Sequence, residues 1–366
     1  MELTMQLFDR TLAVETGPFP FGVGPIELLS RSASPSCEAT RLRLERMLNM
    51  YPAEARTSMV ARLRIPEQAS DAFFELFVLE LFIDRGYTLT GVELPLAHTT
   101  YVVDFSFTSP DGVAFLVEVV CCNPPRTTIG PRKMLDEVFN AIDAVDCLPF
   151  QVEVVDVQGA PTQSVRRRVM HTWVASWLET LAAEPAVDRT KEFALSDSCV
   201  LTLRAVPRSA GARSGLLREP PCVQATYDVV TSVRRRLFEK AYKYGPLAVP
   251  LVIALNVADS MGGTREMFDE AVHGEQDPSI AVPELAEHPG EYTPAVGALQ
   301  EAGGPLTRVS AVLGFLGVQP LQAKPEQGVV YVGRYATPLD LSQLGMATCS
   351  SARANASRAA THLALA

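Results

Sequence analysis

The chain has 366 residues, 47% of them hydrophobic, and a formal net charge of −10. Its length and hydrophobic content suffice for a large core, in one elaborate domain or in two. The acidic balance argues against a protein that coats nucleic acid passively, because such binding depends on clustered Lys and Arg, and no apolar run reaches the roughly 18 residues that a membrane span needs.

Residues 1–65 are predicted to form an N-terminal extension with a helix at EATRLRLERMLNMYP. The next segment, SDAFFELFVLELFIDRGY (70–87), predicts a helix that is apolar almost all round and therefore buried. Three strands follow as a meander, and after them come an amphipathic helix at PRKMLDEVFNAIDAV and a strand at FQVEVVDV. Residues 66–157 thus have the order α-β-β-β-α-β and form the predicted core of an α/β protein.

Residues 158–345 are predicted to form a C-terminal α/β extension, either continuous with the core or separate from it. Its second strong helix, 227–245, leads into PLVIALNV, a continuous apolar run typical of a buried parallel strand. We expect a long loop at 274–306 and a final strand pair within RVSAVLGFLGV and GVVYVGRYATPL. Residues 346–366, small and weakly patterned, are predicted to be a tail.

The segment YVVDFSFTSPDGVAFLVEVVCC (101–122) predicts a hairpin whose register follows from its turn. In SPDGV (109–113), Pro and Asp fit a type I turn, and Gly112 supplies the left-handed residue of a three-residue loop. The first and last residues of SPDGV then pair, and counting back along both strands places Asp104 opposite Glu118.

Two carboxylates in that position need an explanation. Cross-strand neighbours have Cβ atoms roughly 5 Å apart, and like charges there are destabilising unless something positive lies between them. The same register gives the hairpin a second, wholly apolar face made of Val103, Phe105, Phe107, Phe115, Val117 and Val119. A divalent cation is the simplest way to reconcile the carboxylate pair with such surroundings.

The element order, with Glu75 on the first helix, Asp104 on the second strand and Glu118 on the third, resembles the restriction-endonuclease-like family, the PD-(D/E)XK phosphodiesterases. The resemblance covers residues 66–157 and implies a core with a central mixed sheet. It also implies Mg²⁺ (or Mn²⁺) held by the acids, with Asp104 and Glu118 as direct ligands and Glu75 as a ligand or water-holder. The metal would polarise a phosphoryl oxygen and supply a hydroxide nucleophile, so the implied activity is that of a nuclease.

The chain departs from the family pattern at two positions. Val120 stands where the family has a Lys two residues after the second strand acid, and Val103 stands where a Pro precedes the first. Lys240 is our candidate for the missing catalytic cation, because it lies at the edge of the apolar stripe of the 227–244 helix and can project its ammonium into a site. The segment KAYKYGPLAVPLVIAL also resembles a K-x-x-K-Y…P-x-V-I-A segment of uncharacterised bacterial proteins with this core.

Simpler interpretations stand beside this one. Glu75 would face solvent through a gap in the packing, with Glu80 as the competing acid of the same helix. Asp104 and Glu118 would lie on a solvated sheet face, although Asp is depleted in strands. Lys240 would be an ordinary surface lysine.

Three functions therefore stay open. The first is the metal-dependent nuclease, and the second is a catalytically inactive nuclease-like protein that serves in binding or assembly, which Val120 and the acidic net charge favour. The third is a metal-dependent enzyme that acts on a small phosphorylated substrate. Nucleic acid would contact local basic clusters that are otherwise solvated helix faces: RTTIGPRK (126–133), SVRRRVM (164–170) and SVRRRLFEK (232–240).

Other chemistries are disfavoured. The five histidines show no zinc-ligand spacing, and no G-x-S-x-G elbow occurs. Seven scattered cysteines without a CxxC pair indicate reduced thiols, and MELTMQLFDR lacks the basic start and apolar stretch of a signal peptide. We expect a cytoplasmic protein that does not contact a membrane, and no sequence feature specifies an oligomeric state.

Overall fold

The computed structural model describes residues 7–8, 19–96, 100–146, 149–181, 189–208, 228–245, 247–258, 261–273, 308–320, 328–333 and 339–349. Within these ranges no helix has the length and apolar character needed to cross a membrane. The described α-helices are α1 (Pro25–Arg31), α2 (Pro35–Met50), α3 (Ala53–Arg64), α4 (Pro66–Asp84), α5 (Ile129–Asp143), α6 (Arg167–Leu181), α7 (Val229–Lys243) and α8 (Arg265–His273). The strands are β1 (Thr88–Pro95), β2 (Val102–Thr108), β3 (Ala114–Cys122), β4 (Phe150–Gly159), β5 (Arg189–Ser196), β6 (Cys199–Pro207), β7 (Leu251–Val257), β8 (Ala311–Leu316), β9 (Val329–Val332) and β10 (Ala347–Cys349).

The described chain divides into two compact units. Unit 1 contains residues 25–123 and 228–349 together with 7–8, and unit 2 contains residues 19–24 and 124–208. Each unit has its own sheet and its own hydrophobic core. In sequence, unit 2 therefore interrupts unit 1 between β3 and α7.

The sheet of unit 1 has seven strands in the order β1-β2-β3-β7-β8-β9-β10. Its first three strands form the predicted antiparallel meander. Strands β3, β7 and β8 run parallel, β9 is antiparallel to β8, and β10 is parallel to β9. The predicted α/β class with a central mixed sheet is thus confirmed. The predicted strand pair forms as β8 and β9, but it is not the last, because β10 follows and pairs with β9.

Helices cover both faces of this sheet. Alternate residues of β3, beginning with Phe115 and Val117, pack with α2, α3 and α4 in one core, and Leu116 and Val120 pack with α7 and α8 in another. Helix α4 is buried along nearly its whole circumference, as its sequence predicts. The β3 side of the carboxylate-bearing face is therefore covered, whereas on β2 Asp104 is only partly buried. Val103, predicted to share the face of the hairpin phenylalanines, packs in the α7 core.

Unit 2 is a three-stranded antiparallel sheet, ordered β4-β6-β5, with α5 and α6 packed on it. Strand β4 alternates between buried and partly exposed residues at its start, as expected for a strand with only one covered face. Its core includes Phe139, Phe150 and Trp177, all buried.

Three predicted boundaries differ from this arrangement. The segment 66–157 was expected to be one core, but α5 and β4 belong to unit 2, and the strand beside β3 is β7. The physical reason is burial, because every residue of β7 is buried and an apolar strand of this kind fits the middle of a sheet. The N-terminal extension contributes three helices to the core of unit 1. The predicted tail begins with β10, while 350–366 and the 274–306 loop lie outside the described residues.

Candidate carboxylate and lysine site

The hairpin has the register that its turn predicts. The backbone N–H of Ser109 donates to the Val113 carbonyl over 2.9 Å, and Gly112 has φ +87°. Regular pairing ends at Phe105 and Val117. Beyond this pair the strands are linked through a side chain, because the Val119 backbone N–H donates to the Asp104 carboxylate, and the charge of Glu118 acts on Asp104.

Glu118 is the fully buried centre of the site, with no solvent exposure. Its Oε1 accepts hydrogen bonds from the ammonium groups of Lys240 and Lys243, the latter over 3.0 Å, and its Oε2 accepts one from the Tyr244 hydroxyl. Burial and the Glu118 carboxylate raise the pKa of Tyr244 well above its usual value, so this hydroxyl stays protonated and donates. Both carboxylate oxygens are therefore already occupied.

The three donors reach Glu118 together because of their spacing on helix α7. Lys240, Lys243 and Tyr244 are related by i, i+3 and i+4, which places them on one face of the last turn. Val233, Leu237 and Ala241 hold the same side of the helix in the core against β3 and β7. The structure thus brings the predicted Lys240 to Glu118 and adds two donors to which the sequence analysis gave no role at the site. Their signal was present in KAYKY, where a second cation and an aromatic hydroxyl repeat on the face of Lys240.

Glu75 is also buried, at 5% exposure, and is charge-paired on α4. Its Oε1 accepts a hydrogen bond from the Tyr51 hydroxyl at 3.0 Å, and its Oε2 lies 2.7 Å from a guanidinium nitrogen of Arg62. Burial raises the pKa of Glu75, and Arg62 and Tyr51 oppose that rise. The interpretation that Glu75 faces solvent is therefore wrong. Sequence analysis missed both partners, because they come from α3 and the turn before it.

The competing acid, Glu80, lies elsewhere in unit 1. It is 3% exposed and forms ion pairs with Arg43, at 2.7 Å, and with Arg46, both on α2. Each buried acid of α4 is thus neutralised by arginine from another helix.

Asp104 differs from the other two acids, since it is only partly paired. Its Oδ2 accepts a hydrogen bond from the Val119 backbone N–H over 2.6 Å, and among the described residues its Oδ1 has no hydrogen-bond donor. Burial, then the charges of Glu118 and Glu75, raises the pKa of Asp104 to about 7, while the Val119 N–H and Lys240 oppose the rise. This carboxyl is therefore the unbalanced group of the site.

A fourth acid, Glu93, stands beside Asp104. One step beyond the Val92–Phe105 pair, the β1–β2 register places Glu93 opposite Asp104. Glu93 is exposed and has φ +47°, the one positive φ of a non-glycine residue in the described part of the chain. Sequence analysis missed it because the connection between β1 and β2 does not fix their register.

This donor set does not fit a Mg²⁺ ion held jointly by Glu75, Asp104 and Glu118. Within the described ranges, no three His, Cys, Asp or Glu side chains are placed to hold a metal ion. Both oxygens of Glu75 and of Glu118 already accept from cationic or hydroxyl donors. The positive charge that the hairpin requires is supplied by α7.

Comparison with family models, with curated proteins and with solved structures finds no significant match for this chain. The functional argument therefore depends on the geometry and chemistry of the site.

Proposed function

We propose that unit 1 is a restriction-endonuclease-like core whose carboxylates serve structure, and that the protein acts in binding or assembly, not as a metal-dependent nuclease. One observation carries this conclusion. Both oxygens of the fully buried Glu118 are taken by Lys240, Lys243 and Tyr244.

The element order of unit 1 supports the family part of the proposal. Helix α4, strands β1 to β3, helix α7 and strand β7 follow one another with unit 2 left out, and β7 pairs in parallel with β3. The acids of the family pattern then lie on α4, β2 and β3. The α-β-β-β-α-β order is met by α7 and β7 in place of α5 and β4.

The charge pairing supports the functional part. A divalent cation at Glu118 would have to displace two ammonium groups and a hydroxyl from a carboxylate without solvent access. Removing one partner from a buried ion pair is strongly unfavourable, because it leaves an uncompensated charge. The acids also have a structural role that needs no catalysis, since Glu118 ties α7 to β3 and Glu75 ties α3 to α4.

A second candidate function is phosphodiester hydrolysis with Mg²⁺ or Mn²⁺. The observation that favours it is the position of Lys240, which supplies from α7 an ammonium group beside the second strand acid, where Val120 provides none. Among the described residues no donor reaches Asp104 Oδ1, which leaves this oxygen for a cation. This function would require Glu118 to exchange its present donors for the metal.

A cleavage assay separates the two functions. Purified protein is incubated with plasmid, single-stranded DNA and RNA in Mg²⁺, in Mn²⁺ and in EDTA, beside Asp104→Asn, which keeps the side-chain shape. We expect no cleavage that depends on both metal and Asp104. Metal-dependent cleavage by the wild type that a folded Asp104→Asn variant lacks would establish the nuclease and overturn the proposal.

A further inference from the structure

A short segment near the N-terminus belongs to unit 2, although Leu7 and Phe8 before it and the chain from Pro25 onwards belong to unit 1. Residues 19–24 (FPFGVG) form no helix or strand and contain only a turn, at Phe21 and Gly22. All six residues are partly buried or exposed. We call this segment the strap.

Asn140 of α5 binds the main chain of the strap. Its Oδ1 accepts a hydrogen bond from the Phe21 backbone N–H over 2.7 Å, and its Nδ2 donates to the carbonyl of the same residue over 3.0 Å. One side-chain amide thus satisfies the donor and the acceptor of one residue's backbone. Such a contact recognises a peptide main chain whatever its side chain.

Two further contacts select the sequence of the strap. The Phe21 ring lies edge-on to Phe139, with the centroids 5.6 Å apart, and Phe139 has no solvent exposure. Gly22 has φ +79°, and a methyl group on its Cα would lie 2.9 Å from a carboxylate oxygen of Asp136. Glycine is the residue that combines this φ with so close an approach. The contacts therefore select Phe followed by Gly.

The contacted residues form one strip on α5. Asp136, Phe139 and Asn140 are related by i, i+3 and i+4, which places them on one side of the helix. Arg132, one turn before Asp136, donates to its carboxylate over 3.1 Å. The core of unit 2 holds α5 through other residues, among them Leu135. The α5 strip (Asp136, Phe139 and Asn140) is therefore built on a helix that does not need the strap for its position.

Another asparagine makes the same pair of hydrogen bonds in a fully buried place. Asn256 bonds the carbonyl and the N–H of Val318 over 3.0 and 3.1 Å, and both residues are buried. Phe21 and Asn140 are each only partly buried, so water can replace their hydrogen bonds when the strap opens locally. The contact on α5 is therefore suited to exchange, unlike the contact of Asn256.

We propose that the α5 strip is a docking site for an unstructured segment of a partner protein in which Phe is followed by Gly, and that the strap occupies this site in cis as an autoinhibitory contact. The partner's main chain pairs with Asn140, and its Phe ring packs on Phe139. A covalently attached segment has an effective concentration on the order of mM, so the strap excludes a weaker competitor. The inference goes beyond the proposed function of unit 1 and concerns residues of unit 2 alone.

The test uses the full chain and a fluorescently labelled peptide with the sequence of residues 18–25, with binding measured by anisotropy. Phe21→Ala and, independently, Gly22→Val weaken the strap and leave the α5 strip intact. We expect both variants to bind the peptide saturably, and the wild type to bind it about tenfold or more weakly, because its own strap competes. Adding Asn140→Ala to Phe21→Ala should weaken binding about tenfold or more through the loss of two hydrogen bonds. A peptide that carries the Gly22→Val change should not bind.

Glu137, an exposed residue of α5 outside the strip, provides the matched control. Glu137→Gln should leave the affinity of the Phe21→Ala chain unchanged. Absence of binding to both strap variants, equal affinity for the wild type, or binding that survives Asn140→Ala would each overturn the proposal. A wild-type dimer in light scattering that Asn140→Ala dissolves would also overturn it, because the strip would then serve a second copy of the chain. All substituted residues are partly or fully exposed, and far-UV circular dichroism verifies that each variant keeps the fold.

Discussion

Replacing Glu118 by Gln removes the charge at the centre of the α7 ion-pair cluster and keeps the shape of the side chain. Breaking a buried pair by removing one partner costs about 3–5 kcal/mol. The side chains of Lys240 and Lys243 are each 22% exposed, so their ammonium groups can turn towards water when Glu118 is neutral. The expected loss of stability therefore lies at the lower end of this range. The hydrogen bond from Tyr244 also weakens when its acceptor loses its charge. We expect Glu118→Gln to lower the free energy of unfolding by about 3 kcal/mol.

A double-mutant cycle isolates the interaction between Glu118 and Lys240, with urea unfolding monitored by circular dichroism. Lys240→Met alone should cost about 1–2 kcal/mol, because Glu118 keeps Lys243 and Tyr244, and it should cost little once Glu118→Gln is present. Glu239→Gln, at an exposed acid of the same helix, is the control and should change stability by no more than about 0.5 kcal/mol. If Glu118→Gln were instead stabilising, the site would be one of unrelieved carboxylate repulsion and the reasoning would be refuted.

Three further substitutions test the charge of Asp104, the Tyr244 hydroxyl and the hairpin turn. Because the pKa of Asp104 is raised to about 7 in the folded state, its contribution to stability is fully present below about pH 4 and is lost as pH rises to about 7. Asp104→Asn should therefore gain on the wild type between about pH 4 and pH 7, by roughly 1.4 kcal/mol per unit of pKa difference, and a gain that does not vary with pH in urea unfolding would contradict the assignment. Tyr244→Phe removes a buried hydroxyl from a charged acceptor and should cost about 1.5–3 kcal/mol of unfolding free energy, with an unchanged urea midpoint as the contrary result. Gly112→Ala has open space around the added methyl but a φ of +87°, so thermal unfolding should show a loss of about 1 kcal/mol from backbone strain alone, and no loss would mean that the turn relaxes.

The hairpin could be derived from sequence because its information is local. Pro110 and Gly112 fix the turn, and the turn fixes the register as far as the Phe105–Val117 pair, next to which Asp104 and Glu118 stand on their strands. The amphipathic stripe of α7 likewise gave Lys240 an edge position from which it could reach a site. These inferences needed neighbours in the chain and nothing else.

Contacts between side chains on different helices could not be predicted from these local patterns. Tyr51 and Arg62 meet Glu75 only because α3 packs on α4, and no pattern within either helix records that contact. The prediction that β4 belongs to the same core as β3 was wrong for a related reason. A strand pattern shows which residues are buried but not which sheet the strand joins. The continuous apolar run of β7 was the better signal for a central strand.

Helix α7 supplies the positive charge that a metal would supply in an active nuclease. Calorimetric titration of the wild type with Mn²⁺, beside Asp104→Asn and with thermal unfolding of the same samples, tests it most directly. We expect no saturable Mn²⁺ binding that depends on Asp104 and no rise in Tm. One Mn²⁺ bound per chain, lost in Asp104→Asn, with a stabilisation of about 2.7 kcal/mol at a hundredfold excess over Kd, would contradict it.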